Sequence, residues 1–217
     1  EELIEKLGIG FMFAQKFHPA MKNVAAARKI LGKRTAFNLL GPLSNPAKVK
    51  HQLIGVFAND YINRIVKIMQ KNHSEIILAV RSEDGMDELS TTSKNKACLL
   101  KNEEITEFII DPSKYNMEKG NLINIQISTK QEAIDAFVNV LNNTSNKTMK
   151  EITMLNAAGG LLVGGVCNRF DEGVELALET INNGNAFKKL KQFAKENNAS
   201  EKLEEFEWYG KYFRKTC

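Results

Sequence analysis

Between Glu75 and Val80 the chain reads EIILAV, an apolar run with no polar alternation after its first residue. A half-solvated strand alternates, whereas an unbroken β-rich run is what a strand covered on both faces requires. The preceding residues supply one of the covers. HQLIGVF (His51–Phe57) reads as another strand, and YINRIVKIMQK (Tyr61–Lys71) as an amphipathic helix with Ile62, Ile65, Val66 and Met69 on one face. Strand, helix and strand within about 30 residues make a βαβ unit. The fold class that follows is α/β, a mostly parallel central sheet with helices on both faces.

Other elements hang on this unit. IGFMFA (Ile9–Ala14) is a short apolar run expected to be a buried strand, and a helix is expected from Pro19 to the stop at Gly32. Gly41, Pro42, Asn45 and Pro46 mark a structured loop. KACLL and ITEFII, separated by Lys101–Glu104, read as a β-hairpin inserted after the parallel unit. Thr129 with Glu132 forms a capping box for a helix, and TMKEITMLNAAGGLLVGGV reads as a buried helix. DEGVELALETINNG is a helix with Asp171 as the expected N-cap, and NAFKKLKQFAKEN is a last one. The whole of 1–217 reads as one α/β domain.

A hydrophobic share of 43% is enough for a sizeable core, and a net charge of +4 spread along the chain argues poorly for a nucleic-acid surface. No apolar run approaches the roughly 18–20 residues of a membrane helix. Cys98, Cys167 and Cys217 are odd in number and far apart, which argues against a disulfide framework and fits a reducing cytoplasm, with Cys98 and Cys167 as core thiols. The opening EELIEKLGIGFMFA, with no Met, is expected to lie in the middle of a larger protein.

Candidate chemistry clusters in few places. VRSEDGMDELS (Val80–Ser90) carries Glu83, Asp84, Asp87 and Glu88 at what should be the carboxyl end of a strand, where open α/β sheets bind ligands. It is no EF-hand. Asp87 and Glu88 are adjacent carboxylates of the kind that hold Mg²⁺, although spacing alone favours a plain solvated turn. In FHPAMKNVAAAR, Arg28 sits within an Ala-rich helix, where a guanidinium needs an anionic partner unless it snorkels to the surface. His18, before the helix, is by itself more in keeping with a cap or core histidine than a catalyst. NAAGGLLVGG lacks the Lys-Ser/Thr of a phosphate loop, and its glycines suit close helix packing.

Taken together, GIGFMFAQKFHPAMKNVAAARKILGKRTAFNLLGPLSNPA, QLIGVF, SEDGMDELS and LNAAGGLLVGG resemble the anthranilate phosphoribosyltransferase family of tryptophan biosynthesis. The match falls on roughly the C-terminal two-thirds of that family, most of its large α/β domain. The resemblance implies transfer of the phosphoribosyl group of phosphoribosyl pyrophosphate to the amine of anthranilate, releasing pyrophosphate. It implies that Arg28 binds the anthranilate carboxylate, that His18 lines the same pocket, and that Asp87 and Glu88 hold the Mg²⁺ bridging to pyrophosphate. It also implies a cytoplasmic enzyme, homodimeric through an N-terminal helical domain.

The family's Gly-Thr-Gly-Gly-Asp loop and Lys-His-Gly-Asn-Arg segment do not occur in this chain, and the resemblance expects both ahead of Glu1. The chain by itself is therefore expected to turn over little. EFEWYGKYFRKTC at the end has no counterpart in the resemblance. Two alternatives stand beside it: a pyrimidine-nucleoside phosphorylase of the same fold, and a non-catalytic binding module reusing the fold. The FHPAMKNVAAAR block favours the anthranilate enzyme.

Overall fold

The computed structural model describes residues 1–17, 30–32, 37–45 and 47–205. Among the described residues three short helices come first: α1 (Glu2–Leu7), α2 (Ala14–Phe17) and α3 (Phe37–Leu43). The central unit follows as β1 (His51–Gly55), α4 (Asn59–Lys71) and β2 (Ile76–Ser82), with β1 and β2 parallel and Gly55 opposite Val80. Then come β3 (Asn95–Lys101) and β4 (Glu104–Ile110), joined by Asn102 and Glu103, both at positive φ as a tight hairpin turn demands.

β2 pairs with β3, and β3 with β4, both antiparallel, so the order is β1-β2-β3-β4 and the sheet is mixed. The expected α/β class and its β-hairpin are present, with the sheet of the described residues refined from mostly parallel to mixed. A parallel return needs a crossover of a dozen or more residues, usually a helix. Residues 83–94 contain no helix, so the chain re-enters the sheet beside β2 in the opposite direction and the hairpin extends the sheet.

After two 3₁₀ turns (Pro112–Tyr115 and Leu122–Ile125) come α5 (Lys130–Leu141), α6 (Lys147–Val163), α7 (Phe170–Asn182) and α8 (Asn185–Glu196), and residues 200–205 are again helical. Helices cover both faces, and β2 explains why its sequence does not alternate. Ile77 and Ala79 pack with Ile62, Ile65, Val66 and Met69 of α4, while Leu78 and Val80 pack with Met154, Leu155, Ala158 and Leu162 of α6. Ile77 and Leu78 are each 0% exposed. Burial on this scale contributes about 1.5–3 kcal/mol per large side chain.

The glycines of the small-residue run act as packing surfaces. A Cβ on Gly159 would stand 3.2 Å from Leu53 of β1, and one on Gly173 of α7 would stand 3.0 Å from the Ala158 backbone of α6. The Thr129–Glu132 capping box is present, and Cys98 and Cys167 are buried thiols. Burial first, then Glu107, pushes the Cys98 thiol up to about 11.

Three local expectations are corrected. Gly41 and Pro42, expected in a loop, lie inside α3. Ile9–Phe13 is not a strand, and Phe11 is 77% exposed. A short apolar run without period cannot by itself distinguish strand from coil. The N-cap of α7 is Arg169, not Asp171. Glu172 reaches back to accept from the Asn168 and Arg169 amides at 3.1 and 3.3 Å, which sets the helix start two residues earlier. No helix of the described residues is long and apolar enough to cross a membrane.

Candidate active site

The acidic turn leaves β2 at the carboxyl edge of the parallel pair and returns into β3. Asp84 builds its interior. One carboxylate oxygen of Asp84 accepts from the Met86 amide at 3.0 Å, the other accepts from the Thr92 hydroxyl, and its own amide donates to Ser93 Oγ at 3.0 Å. Ser82 and Ser93 hydroxyls meet at 2.7 Å beneath it. Gly85, at φ +104°, closes the turn where a side chain would be strained.

Partial burial pushes the Asp84 carboxyl up. The hydrogen bonds from Thr92, the Met86 amide, Ser90 and Ser82 together outweigh that, so it titrates below the usual carboxylate range. A depressed folded value gives stability that is present above the ordinary carboxylate value and lost as pH falls through the folded one. Asp84→Asn is therefore expected to be less stable than the native protein at neutral pH, with the gap closing in acid. Urea midpoints between pH 3 and pH 7 check this.

Because Asp84 faces inward, Asp87 and Glu88 face out. Both are exposed, and among the described residues neither carboxylate accepts a hydrogen bond or joins an ion pair. Glu88 overhangs a cleft of about 280 Å³ lined by apolar groups that include Ile127, Phe137, Met149 and Ile152. Desolvation there, then the charges of Asp87 and Asp84, push the Glu88 carboxyl up. Two adjacent oxygen donors that repel each other and lack a cationic side-chain partner suit a hard divalent cation, which takes one or two carboxylates and fills its shell with water. Among the described residues no third metal-binding side chain joins them.

Backbone contacts fix where these carboxylates point. The Asp87 carbonyl lies directly over Gly55, where an added Cβ would fall 1.6 Å from the oxygen. The Leu89 amide donates to Asn156 Oδ1 at 3.0 Å, and Asn156 Nδ2 donates to the Leu89 carbonyl at 2.8 Å, which ties the turn to α6. Asn95 of β3 does the same for Ser90, with bonds of 2.8 and 2.9 Å. Gly55, Asn95 and Asn156 were not singled out from the sequence. A glycine inside a strand pattern and a lone Asn in an apolar helix were the available signals. Asn156→Ala is expected to cost about 1–3 kcal/mol by stranding two backbone groups. It should also speed hydrogen exchange at the Leu89 amide, which NMR reads directly.

His18 and Arg28 lie outside the described residues, so the geometry here concerns Asp87 and Glu88 alone. A larger cavity, of about 610 Å³, is lined by Lys48, Lys50, Lys71 and His73 at the opposite end of β1 and β2, away from the acidic turn.

Comparison with known proteins places this geometry. The model of the glycosyl transferase family, a/b domain, matches residues 1–187. The anthranilate phosphoribosyltransferase of Nitrosopumilus maritimus is 55% identical over 204 residues, covering 94% of this chain and 59% of the relative. That of Bacillus velezensis is 40% identical over 189 residues, covering 87% and 56%. The crystal structure of anthranilate phosphoribosyltransferase from Thermus thermophilus superposes with a TM-score of 0.79 at 30% identity, over 88% of this chain and 56% of that one. The Saccharomyces cerevisiae enzyme in complex with PRPP and Mg gives a TM-score of 0.70 at 27% identity, over 81% and 51%. The chain thus spans between half and three-fifths of the length of these relatives. Fold and sequence agree that it belongs to the glycosyl transferase family, through the α/β domain of that family.

Proposed function

We propose that this chain is the metal- and acceptor-holding α/β domain of an anthranilate phosphoribosyltransferase. The observation that carries the reading is the unpartnered Asp87–Glu88 pair, presented at the carboxyl edge of the sheet in a chain 55% identical to an enzyme of that name. The reaction is attack of the anthranilate amine on C1 of phosphoribosyl pyrophosphate, forming the N–C1 bond as the C1–O bond to pyrophosphate breaks. C1 becomes cationic as pyrophosphate departs, so the protein must stabilise the leaving anion and align the amine.

Asp87 and Glu88 are the residues that would hold Mg²⁺, and the bound ion would supply charge neutralisation for the leaving pyrophosphate. Asp84 stays ionised and internally bonded, which keeps the two outer carboxylates free for this role. Arg28 pairs its guanidinium with the anthranilate carboxylate, and His18 lines the acceptor pocket. A cytoplasmic location and a homodimer formed by a longer protein belong to the same reading.

The test is a coupled assay on the full gene product. Anthranilate fluorescence should fall when phosphoribosyl pyrophosphate and Mg²⁺ are added, with pyrophosphate appearing in equal amount. Persistent anthranilate with fresh donor would remove the assignment. Phosphorolysis of a pyrimidine nucleoside under the same conditions would replace it.

A further inference from the structure

Arg81 and Lys96 are directly opposed across β2 and β3. Opposed residues of an antiparallel pair project from the same face, and the neighbouring pair Ala79–Cys98 places that face on the α4 side of the sheet. Two cations at such a position repel each other and destabilise the pairing. Among the described residues neither cation joins an ion pair. The carboxylate of Glu107 on the same face accepts from Asn63, and Lys67 of α4 adds a further positive charge there.

Arg81 is the more constrained of the two. It is half-buried, its Nη1 donates to the Ser82 carbonyl at 3.0 Å, and its buried Nε has no acceptor among the described residues. Its Nη2 lies under the acidic turn, 4.0 Å from where a Cβ on Gly85 would stand. A guanidinium held near the carboxyl end of an inner strand with a buried N–H unsatisfied is costly unless an anion completes it. Its planar fork matches phosphate oxygens, and a second cation beside it suits a multiply charged anion better than a single carboxylate.

We infer that Arg81 and Lys96 form an anion subsite for the diphosphate of the phosphoribosyl donor, on the α4 side of the turn that carries Asp87 and Glu88. This rests on the reading given under Proposed function. The turn then meets the leaving group with a metal-holding face and a directly cationic face. Neither Arg81 nor Lys96 takes part in proton transfer; both act by binding charge.

The test uses the full gene product with inorganic pyrophosphate as probe, by calorimetric titration, beside steady-state kinetics. Arg81→Gln and Lys96→Gln should each weaken pyrophosphate roughly 10- to 100-fold. Both should raise the KM for the phosphoribosyl donor and leave the KM for anthranilate unchanged. Arg81→Lys should fall between native and Gln, and Lys188→Gln, a charge-matched change on exposed α8, should bind normally. Lys96→Gln should also raise the ligand-free thermal midpoint, because it relieves the like-charge pair, whereas loss of a purely structural lysine would lower it. Native pyrophosphate affinity in folded Lys96→Gln and Arg81→Lys would overturn the inference, as would an equal rise in both KM values. If Arg81→Gln does not fold, those two variants decide. Arg81-dependent pyrophosphate binding without phosphoribosyl transfer would leave the subsite standing and remove the assigned reaction.

Discussion

The double variant Asp87→Asn/Glu88→Gln is expected to lower Mg²⁺-dependent phosphoribosyl transfer by about 10²–10⁴-fold, the scale of losing metal stabilisation at a leaving group. The same variant is expected to be more stable than the native protein at neutral pH. Activity and stability move in opposite directions because the two carboxylates serve a ligand and not the fold. Neither has a protein partner to lose among the described residues, and the Glu88 carboxyl is pushed up by desolvation and by Asp87 and Asp84. A raised folded value means that Glu88 contributes stability below the ordinary carboxylate value and loses it as pH rises through the raised one. Its charged form is therefore a cost at pH 7, which Gln removes. The gain in thermal midpoint should shrink as pH falls toward the ordinary carboxylate value, where Glu88 is protonated anyway. Calorimetry at pH 7 and pH 4 with kinetics over a Mg²⁺ series measures both halves. Unchanged kinetics would take the metal away from this pair, and a lower midpoint at pH 7 would show that it supports the fold.

Gly55→Ala should do the reverse and damage fold and site together. The new Cβ would lie 1.6 Å from the Asp87 carbonyl oxygen and 2.7 Å from its carbon. Both are backbone atoms, so no rotamer relieves the clash. Either the acidic turn lifts from β1 or the end of β1 shifts out of register with Val80. Overpacking of this kind costs about 1–3 kcal/mol. Mg²⁺ affinity should fall with it, because the displaced atoms belong to the first candidate ligand. Gly160→Ala is the matched control, since a Cβ there meets nothing within 4 Å. It lies within α6 and should stabilise by roughly 0.5–1 kcal/mol. Mg²⁺ titrations and denaturant midpoints of the two variants distinguish a local clash from a general effect of adding a methyl. Native Mg²⁺ affinity in Gly55→Ala would mean that the turn's position is not what sets the site.

Much of the architecture was legible because it is written in local periods. Ile62, Ile65, Val66 and Met69 mark the buried face of α4, and the unbroken run at Ile76–Val80 required covers on both sides. The strand direction after β2 was not legible. It depends on what residues 83–94 do in space, and they form hydrogen bonds to one another and to α6 instead of a helix. The acids were visible at once, but their division of labour was not. Resemblance singled out Asp87 and Glu88, while the inward role of Asp84 depends on Thr92 and Ser93 folding back onto it. The clamp from Asn156 spans 67 residues of sequence, a separation that no local pattern reports.

The acidic turn begins and ends in neighbouring strands of one sheet, so its two ends are fixed about 4.8 Å apart in the direction of strand pairing. Its entropy of closure is met when β2 and β3 pair, long before any ligand arrives. A cation that binds it orders water and a few side chains but little main chain. Affinity for the ion should then follow the integrity of the β2–β3 ladder. A β2–β3 ladder weakened far from the carboxylates, for instance at the Ile77–Leu100 pair, would register first as a looser metal.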